Sequence, residues 1–343
     1  MKNILFVSCT KFIGGGEIFL LGIEKALRST AHLHFYVASP HLYNKLSTTR
    51  KSLFKSENLL KNSVEINRYV SANSVDLVVL NGNRAIYLAP FMKAHAVAYK
   101  HTGSFSVNGI LKKLIYYLCI NLSYSFCKKI VYVSKAISKD DVLWKAKRCI
   151  IYNGIDISRY DGSRRSDSIV TITFIGRLVK DKGILEAVKV VESVSKVKDI
   201  RFRIVGDGPL LEDLQNYVVS NESDFISIEG YIENPEQVLQ STDIFFLPTY
   251  YESFGLSVCE AMAMKIPVIT SNVGGLPEII RHGFNGFLFP PADLESFRDT
   301  IIQLIDDPNL AKMVGDNARD TIRERFSNKE TGRALAQLIT TLT

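Results

Sequence analysis

The sequence has no run of eighteen uncharged apolar residues, so no transmembrane helix is expected. The nearest candidate, residues 110–127, is broken by Lys112 and Lys113 and contains Asn121, Ser123 and Ser125. Cysteine is scarce: Cys9, Cys119, Cys127, Cys149 and Cys259 are odd in number and scattered, which argues against a disulfide framework and fits a reducing compartment. There is no Asp-x-Asp pair and no His/Cys/Asp cluster with metal-ligand spacing, so no metal and no cofactor is expected. There is no Gly-x-Ser-x-Gly nucleophile turn, no internal repeat and no low-complexity segment. The N-terminal apolar run is short and leads into glycines, so it reads as a strand and not as a signal peptide.

What is present is an ordinary globular composition, 46% hydrophobic and 22% charged over 343 residues, enough for two domains. The net charge of +7 hides an asymmetry: residues 1–165 carry 25 Lys+Arg against 9 Asp+Glu, whereas the rest carry 17 against 26. A basic half suits nucleic acid, an anionic lipid surface or a phosphorylated acceptor, or is simply a solvated lysine-rich face. The segment from Gly109 to Ile130 mixes leucines and aromatics with lysines, and reads either as an interfacial helix or as a core helix with exposed lysines at its ends.

Short apolar, β-branched runs alternate with helical patterns. Strands are expected near residues 3–8, 32–38, 75–80, 96–100, 130–134 and 149–152, then 169–175, 201–205, 225–228, 243–247, 267–270 and 286–289. Continuous hydrophobic strands between helices imply α/β architecture with parallel sheets covered on both faces. The polar stretch 158–167 is the expected linker. Ligands of such sheets bind beyond the carboxyl ends of the strands, so motifs directly after strands carry the functional signal.

Six such motifs occur. Gly14-Gly15-Gly16-Glu17 leads into a helix and suits a phosphate, or is a plain turn. It is not a dinucleotide fingerprint, because the third glycine is missing. Gly176-Arg177-Leu178 with Lys182-Gly183 places two cations on one loop, where they can clamp a diphosphate. Gly206-Asp207-Gly208-Pro209 is read mainly as structural, with Asp207 as a cap of a helix starting near Pro209. Glu252-Ser253-Phe254-Gly255-Leu256-Ser257 and Glu260 put two carboxylates on either side of a helix start, the layout that sugar hydroxyls, phosphate and ribose hydroxyls require. Ser271 to Glu278 is a further glycine turn, and His101 ends a strand where it can meet a sugar.

Together these motifs resemble the retaining GT-B glycosyltransferases, in particular the family 4-like "group 1" bacterial enzymes. The resemblance is strongest from Gly176 to Phe289 and also includes Tyr152-Asn153-Gly154-Ile155-Asp156. It implies two Rossmann-like domains facing across a cleft: residues 1–163 on the acceptor side, with a final helix 328–342 packing back on them, and residues 164–327 binding the nucleotide sugar. It implies that Gly15 and Gly16 offer amides to the diphosphate and that Arg177 and Lys182 neutralise it as it leaves. Glu252 then contacts the transferred sugar, the Ser253–Ser257 backbone holds sugar and phosphate, Glu260 binds ribose, and His101 lies beside the sugar. The implied reaction is metal-independent, retaining transfer from a nucleoside diphosphate sugar, UDP-linked in preference to GDP-linked, to a glycan or lipid-linked acceptor. Bacterial surface polysaccharide or lipopolysaccharide synthesis is the implied setting. The place implied is the cytoplasm, with peripheral contact at the inner membrane face, and no nucleic acid is involved. The alternatives are a sugar-nucleotide epimerase or phosphorylase on the same fold, or a non-catalytic sugar-nucleotide-binding protein.

Overall fold

Ile4–Val7 and Leu77–Leu80 are apolar at every position and fully buried, as strands covered on both faces must be. They lie side by side, with Ile4 opposite Leu77 and Val7 opposite Leu80. The computed structural model describes residues 1–12, 14–103, 109–139, 141, 143–161 and 168–343. Ile13 of the first glycine motif and residues 162–167 of the expected linker lie outside them. The chain divides into two units, one of Met1–Gly154 with Asn328–Thr343, the other of Ile155–Ser327.

The first unit is built on a seven-stranded parallel sheet of order β3-β2-β1-β4-β5-β6-β7. Its strands are β1 Lys2–Ser8, β2 Ala31–Val37, β3 Lys51–Leu53, β4 Leu77–Asn81, β5 His95–Lys100, β6 Cys127–Tyr132 and β7 Arg148–Ile150. Chain order reverses between β1 and β4, so their carboxyl ends mark the switch point where doubly wound folds bind ligands. The last helix, Asn328–Leu342, packs on the first, Gly15–Leu27. That crossing is too close for side chains at two positions: a Cβ at Gly332 would lie 2.7 Å from the Ala26 Cβ, and one at Gly22 would lie 2.6 Å from Asn328 Oδ1.

The second unit repeats the plan with a six-stranded parallel sheet of order β10-β9-β8-β11-β12-β13. Its strands are β8 Val170–Ile175, β9 Ile200–Val205, β10 Ile226–Gly230, β11 Ile244–Leu247, β12 Val268–Ser271 and β13 Phe287–Phe289. Here the switch point lies between β8 and β11. The chain enters and leaves this unit side by side: Ile155 N donates to Phe326 O at 2.8 Å, and Ile155 bridges to Ser327.

Twelve of the thirteen strands match the expected runs. The exception is β3, a three-residue strand too short and too polar to show a pattern. At the start of the expected linker, Ile157–Tyr160 form a 3-10 turn and Tyr160 is buried.

Candidate active site

In the first unit the β1 carboxyl end leads to Gly14, the cap of helix Gly15–Leu27. Glu17, buried in the first turn, shapes this loop. Its carboxylate accepts from Gly14 N at 3.1 Å and from Ser8 Oγ at 2.9 Å. Burial pushes the Glu17 carboxyl up, and those two donors oppose the shift. The Gly15 and Gly16 amides stand in the same first turn, where helix N–H groups have no internal partner.

Asn81, at the end of β4, joins this loop to His101. Its amide nitrogen donates to Gly16 O at 3.1 Å, which turns Oδ1 toward His101 Nε2 at 2.8 Å. The imidazole therefore carries its hydrogen on Nε2, and Nδ1 presents a lone pair. Among the described residues Nδ1 has no partner although it is buried. Burial lowers the His101 pKa to about 3, so the ring is neutral at ordinary pH. Tyr99 stacks on it at 5.0 Å and Phe19 tilts against it at 5.3 Å, which holds the ring plane. A neutral, oriented imidazole with a bare acceptor suits a sugar hydroxyl. Glu17 and Asn81 were not picked out from sequence as site residues. The available signal was Asn81-Gly82-Asn83 directly after an apolar strand.

In the second unit three loops at the strand carboxyl ends are laced together. Gly183, at φ +70°, lies so close to Pro248 that a Cβ would come 1.9 Å from its carbonyl oxygen. Asp181 O accepts from Tyr250 N at 2.8 Å and from Thr249 Oγ1 at 2.9 Å. Lys182 Nζ lies 2.5 Å from Glu252 Oε2. The Arg177 side chain, on the same loop as Lys182, is exposed and has no hydrogen-bond or ion-pair partner among the described residues. The glycine turn after β12 braces Glu252 from the other side. Gly275 N donates to Glu252 O at 3.0 Å, and a Cβ on Gly274 would lie 1.8 Å from that oxygen. Asp207 does not cap a helix end, since the following helix is Leu211–Ser220. It accepts from Gly208 N at 2.7 Å, while Leu178 N donates to its carbonyl at 2.9 Å, so this turn supports the Arg177 loop.

Gly255, at φ +107°, caps helix Leu256–Ala263, whose first residues Leu256 and Ser257 are half-exposed. Ser253 and Phe254 are buried: the Phe254 ring packs edge-on against Phe326, and Ser253 Oγ donates to the Tyr251 hydroxyl at 3.3 Å. Glu260 is buried one turn into this helix, among Val258, Cys259 and Met262. Desolvation raises its pKa to about 7, opposed by a hydrogen bond from the Tyr160 hydroxyl and by the nearby Arg159 guanidinium. Arg159 is itself paired with Glu236 at 2.9 Å. Tyr160 belongs to this site and was missed because its sequence neighbours are polar.

The second unit thus holds an exposed cation, a second cation paired with a carboxylate, a helix start and a buried carboxylate around the β8–β11 switch point. Such a set has the chemistry to hold an anion flanked by hydroxyl-bearing groups on either side. The two doubly wound units define a GT-B fold. Residues 162–321, most of the second unit, match the family model described as glycosyl transferases group 1.

An uncharacterized glycosyltransferase of Methanocaldococcus jannaschii is 29% identical over 204 residues, covering 58% of this chain and 55% of its own length. The UDP-Gal:alpha-D-GlcNAc-diphosphoundecaprenol alpha-1,3-galactosyltransferase of Escherichia coli is 29% identical over 199 residues, covering 53% and 51%. The chain therefore spans about half the length of these curated relatives. Among solved structures, Anabaena HepE in complex with UDP-glucose superposes with a TM-score of 0.86 at 20% identity, over 99% of this chain and all of that one.

Proposed function

We propose that the chain transfers a sugar from a nucleoside diphosphate sugar to a glycan or lipid-linked acceptor, with retention of configuration and without a metal ion. The observation that carries this reading is the grouping of Arg177, Lys182, Glu252 and Glu260 around one helix start. A departing diphosphate gathers negative charge as the glycosyl carbon becomes oxocarbenium-like, and preorganised cations and amides lower that barrier. Arg177 stands unpaired for this task. Lys182 is held in place by Glu252 until phosphate competes for it. Glu252, once shared, accepts from the sugar, and Glu260 accepts from the ribose hydroxyls. In the first unit, the Gly15 and Gly16 amides serve the diphosphate and His101 Nδ1 accepts from a sugar hydroxyl. Attack on the same face as the leaving phosphate is the route that the family resemblance implies.

A UDP-sugar is the favoured donor, supported by the HepE complex with UDP-glucose and by the UDP-Gal in the name of the E. coli relative. The diphosphoundecaprenol in that name supports a lipid-linked acceptor and a role in surface polysaccharide assembly at the membrane. The deciding experiment is thermal unfolding of the protein against a panel of UDP-, GDP- and ADP-sugars. A true donor at 100 times its Kd adds about 2.7 kcal/mol of apparent stability. If no nucleotide sugar protects the fold, the reading fails. Interconversion of UDP-sugars without any acceptor would replace it with an epimerase.

A further inference from the structure

A surface helix of a water-soluble unit normally turns its apolar stripe inward. The helix Ile110–Ser125 does the reverse. Its outward side carries Leu111, Leu114, Ile115, Leu118 and Leu122, continued by Phe126 at the cap, and each is more than half exposed. At 3.6 residues per turn, these six directions fall within about 60° of one line along the helix. The inward side is the more polar one, with Asn121, Ser123 and Tyr124 buried beside Ile120.

Specific bonds fix this orientation. Asn121 Oδ1 accepts from Trp144 Nε1 at 3.0 Å. The Tyr124 hydroxyl donates to Asp141 at 3.4 Å, and Asp141 is itself paired with the fully buried Lys100 at 2.7 Å. Rotating the helix to hide its leucines would strand that buried ion pair without a partner hydroxyl and break the tryptophan contact. The apolar face is therefore held toward solvent.

The surrounding charge identifies the occupant. No Asp or Glu lies between Asp76 and Asp140, a stretch that holds nine Lys and Arg. Lys112 and Lys113 are exposed in the first turn of the helix itself. The first unit as a whole carries 24 Lys+Arg against 8 Asp+Glu. A second copy of the same face would bring these lysines against their own kind. A bilayer with anionic headgroups satisfies both features, since acyl chains take the leucines and headgroup phosphates take the lysines.

We propose that the outward face of helix Ile110–Ser125 seats in the headgroup–acyl boundary of an anionic bilayer. This deepens the reading of a lipid-linked acceptor and rests on it only for its purpose. The test is co-sedimentation of the full chain with vesicles of phosphatidylcholine alone or mixed with phosphatidylglycerol, at low and high salt. Binding should require phosphatidylglycerol and weaken with salt. Leu114→Ser with Leu118→Ser should lower partitioning at least about tenfold. Lys112→Glu with Lys113→Glu should abolish the dependence on anionic lipid. Thermal protection by the nucleotide sugar should survive in the serine variant, which separates loss of docking from loss of donor binding. Failure of the wild-type chain to bind phosphatidylglycerol vesicles at low salt overturns the proposal. So does equal binding by the serine variant, or a wild-type dimer in light scattering that this variant dissolves. Donor protection absent from every form, with vesicle binding intact, would sink the transferase reading and leave the docking face standing.

Discussion

Lys182 and Glu252 are 70 residues apart in sequence, yet their charged atoms lie 2.5 Å apart with both side chains about five-sixths buried. The pair joins the loop after β8 to the loop after β11, so the cation proposed to meet the diphosphate also ties these two loops together. Lys182→Ala should therefore reduce turnover at least about 100-fold, the scale of losing one preorganised transition-state donor. Arg177→Ala should do the same while leaving the melting temperature unchanged, because among the described residues the Arg177 side chain has no hydrogen bond or ion pair to lose. Steady-state kinetics with calorimetric melting of both variants checks this. Near-normal turnover in both would remove these side chains from the reaction.

The proposal of metal-independent transfer rests on the same charges. Transfer should continue at full rate in excess chelator. A strict requirement for Mg²⁺ or Mn²⁺ in the transfer step would contradict the assignment of Arg177 and Lys182.

Glu260 should make nucleotide affinity depend on pH. Ribose hydroxyls prefer the carboxylate, so UDP binding should tighten as pH rises through about 7, where Glu260 ionises. Titration calorimetry across this range, with Glu260→Gln as the reference, subtracts the ionisation of the phosphate itself. Tyr160→Phe removes the hydroxyl that stabilises the carboxylate. It should weaken UDP about tenfold at neutral pH, consistent with one hydrogen bond to a charged group. Identical pH profiles for wild type and Glu260→Gln would refute the ribose assignment.

Two buried groups should tilt stability in opposite directions. Glu260 has a folded pKa raised to about 7, so the folded chain holds a proton that the unfolded chain releases above its ordinary value of 4.5. Its contribution is complete below 4.5 and is lost as pH rises toward 7. His101 has a folded pKa lowered to about 3 from 6.5, so its contribution is complete above 6.5 and is lost as pH falls. Denaturant unfolding of Glu260→Gln and His101→Gln against pH should each flatten one limb and leave the other. The His101 ring should show no NMR titration between pH 5 and 8.

Gly274 predicts a defect at a distance from the reacting groups. It adopts φ +56° and its missing Cβ is the space that the Glu252 carbonyl occupies. Gly274→Ala should lower turnover by displacing Glu252 and cost about 1–3 kcal/mol of stability through local backbone strain. A variant with normal kcat and normal melting would show that Glu252 does not need this brace.

The sheets were legible because fully buried parallel strands leave unbroken apolar runs, and β3 was not because Lys51–Leu53 has no such run. Arg177, Lys182, Glu252 and Glu260 could be picked out as candidates because each lies on or near a loop that follows a strand. Asn81, Glu17 and Tyr160 escaped for other reasons. Asn81 and Tyr160 act through hydrogen bonds to residues far along the chain, which leave no local spacing to read, and Glu17 acts through short-range bonds to Gly14 and Ser8 that a helix-capping role alone would also give. Helix Ile110–Ser125 escaped in part. Its sequence displays two faces, but only the Tyr124 and Asn121 contacts decide which one is outside.

The return of helix Asn328–Leu342 to the first unit sets an order of assembly. During synthesis, residues 155–327 are complete and can fold while the first 154 still lack the helix that lies against Gly15–Leu27. The half that is translated first is therefore finished last. Until residues 328–342 arrive, the surfaces of Gly22 and Ala26 stay open to water, so this seam is where a chaperone or a protease would find the nascent chain.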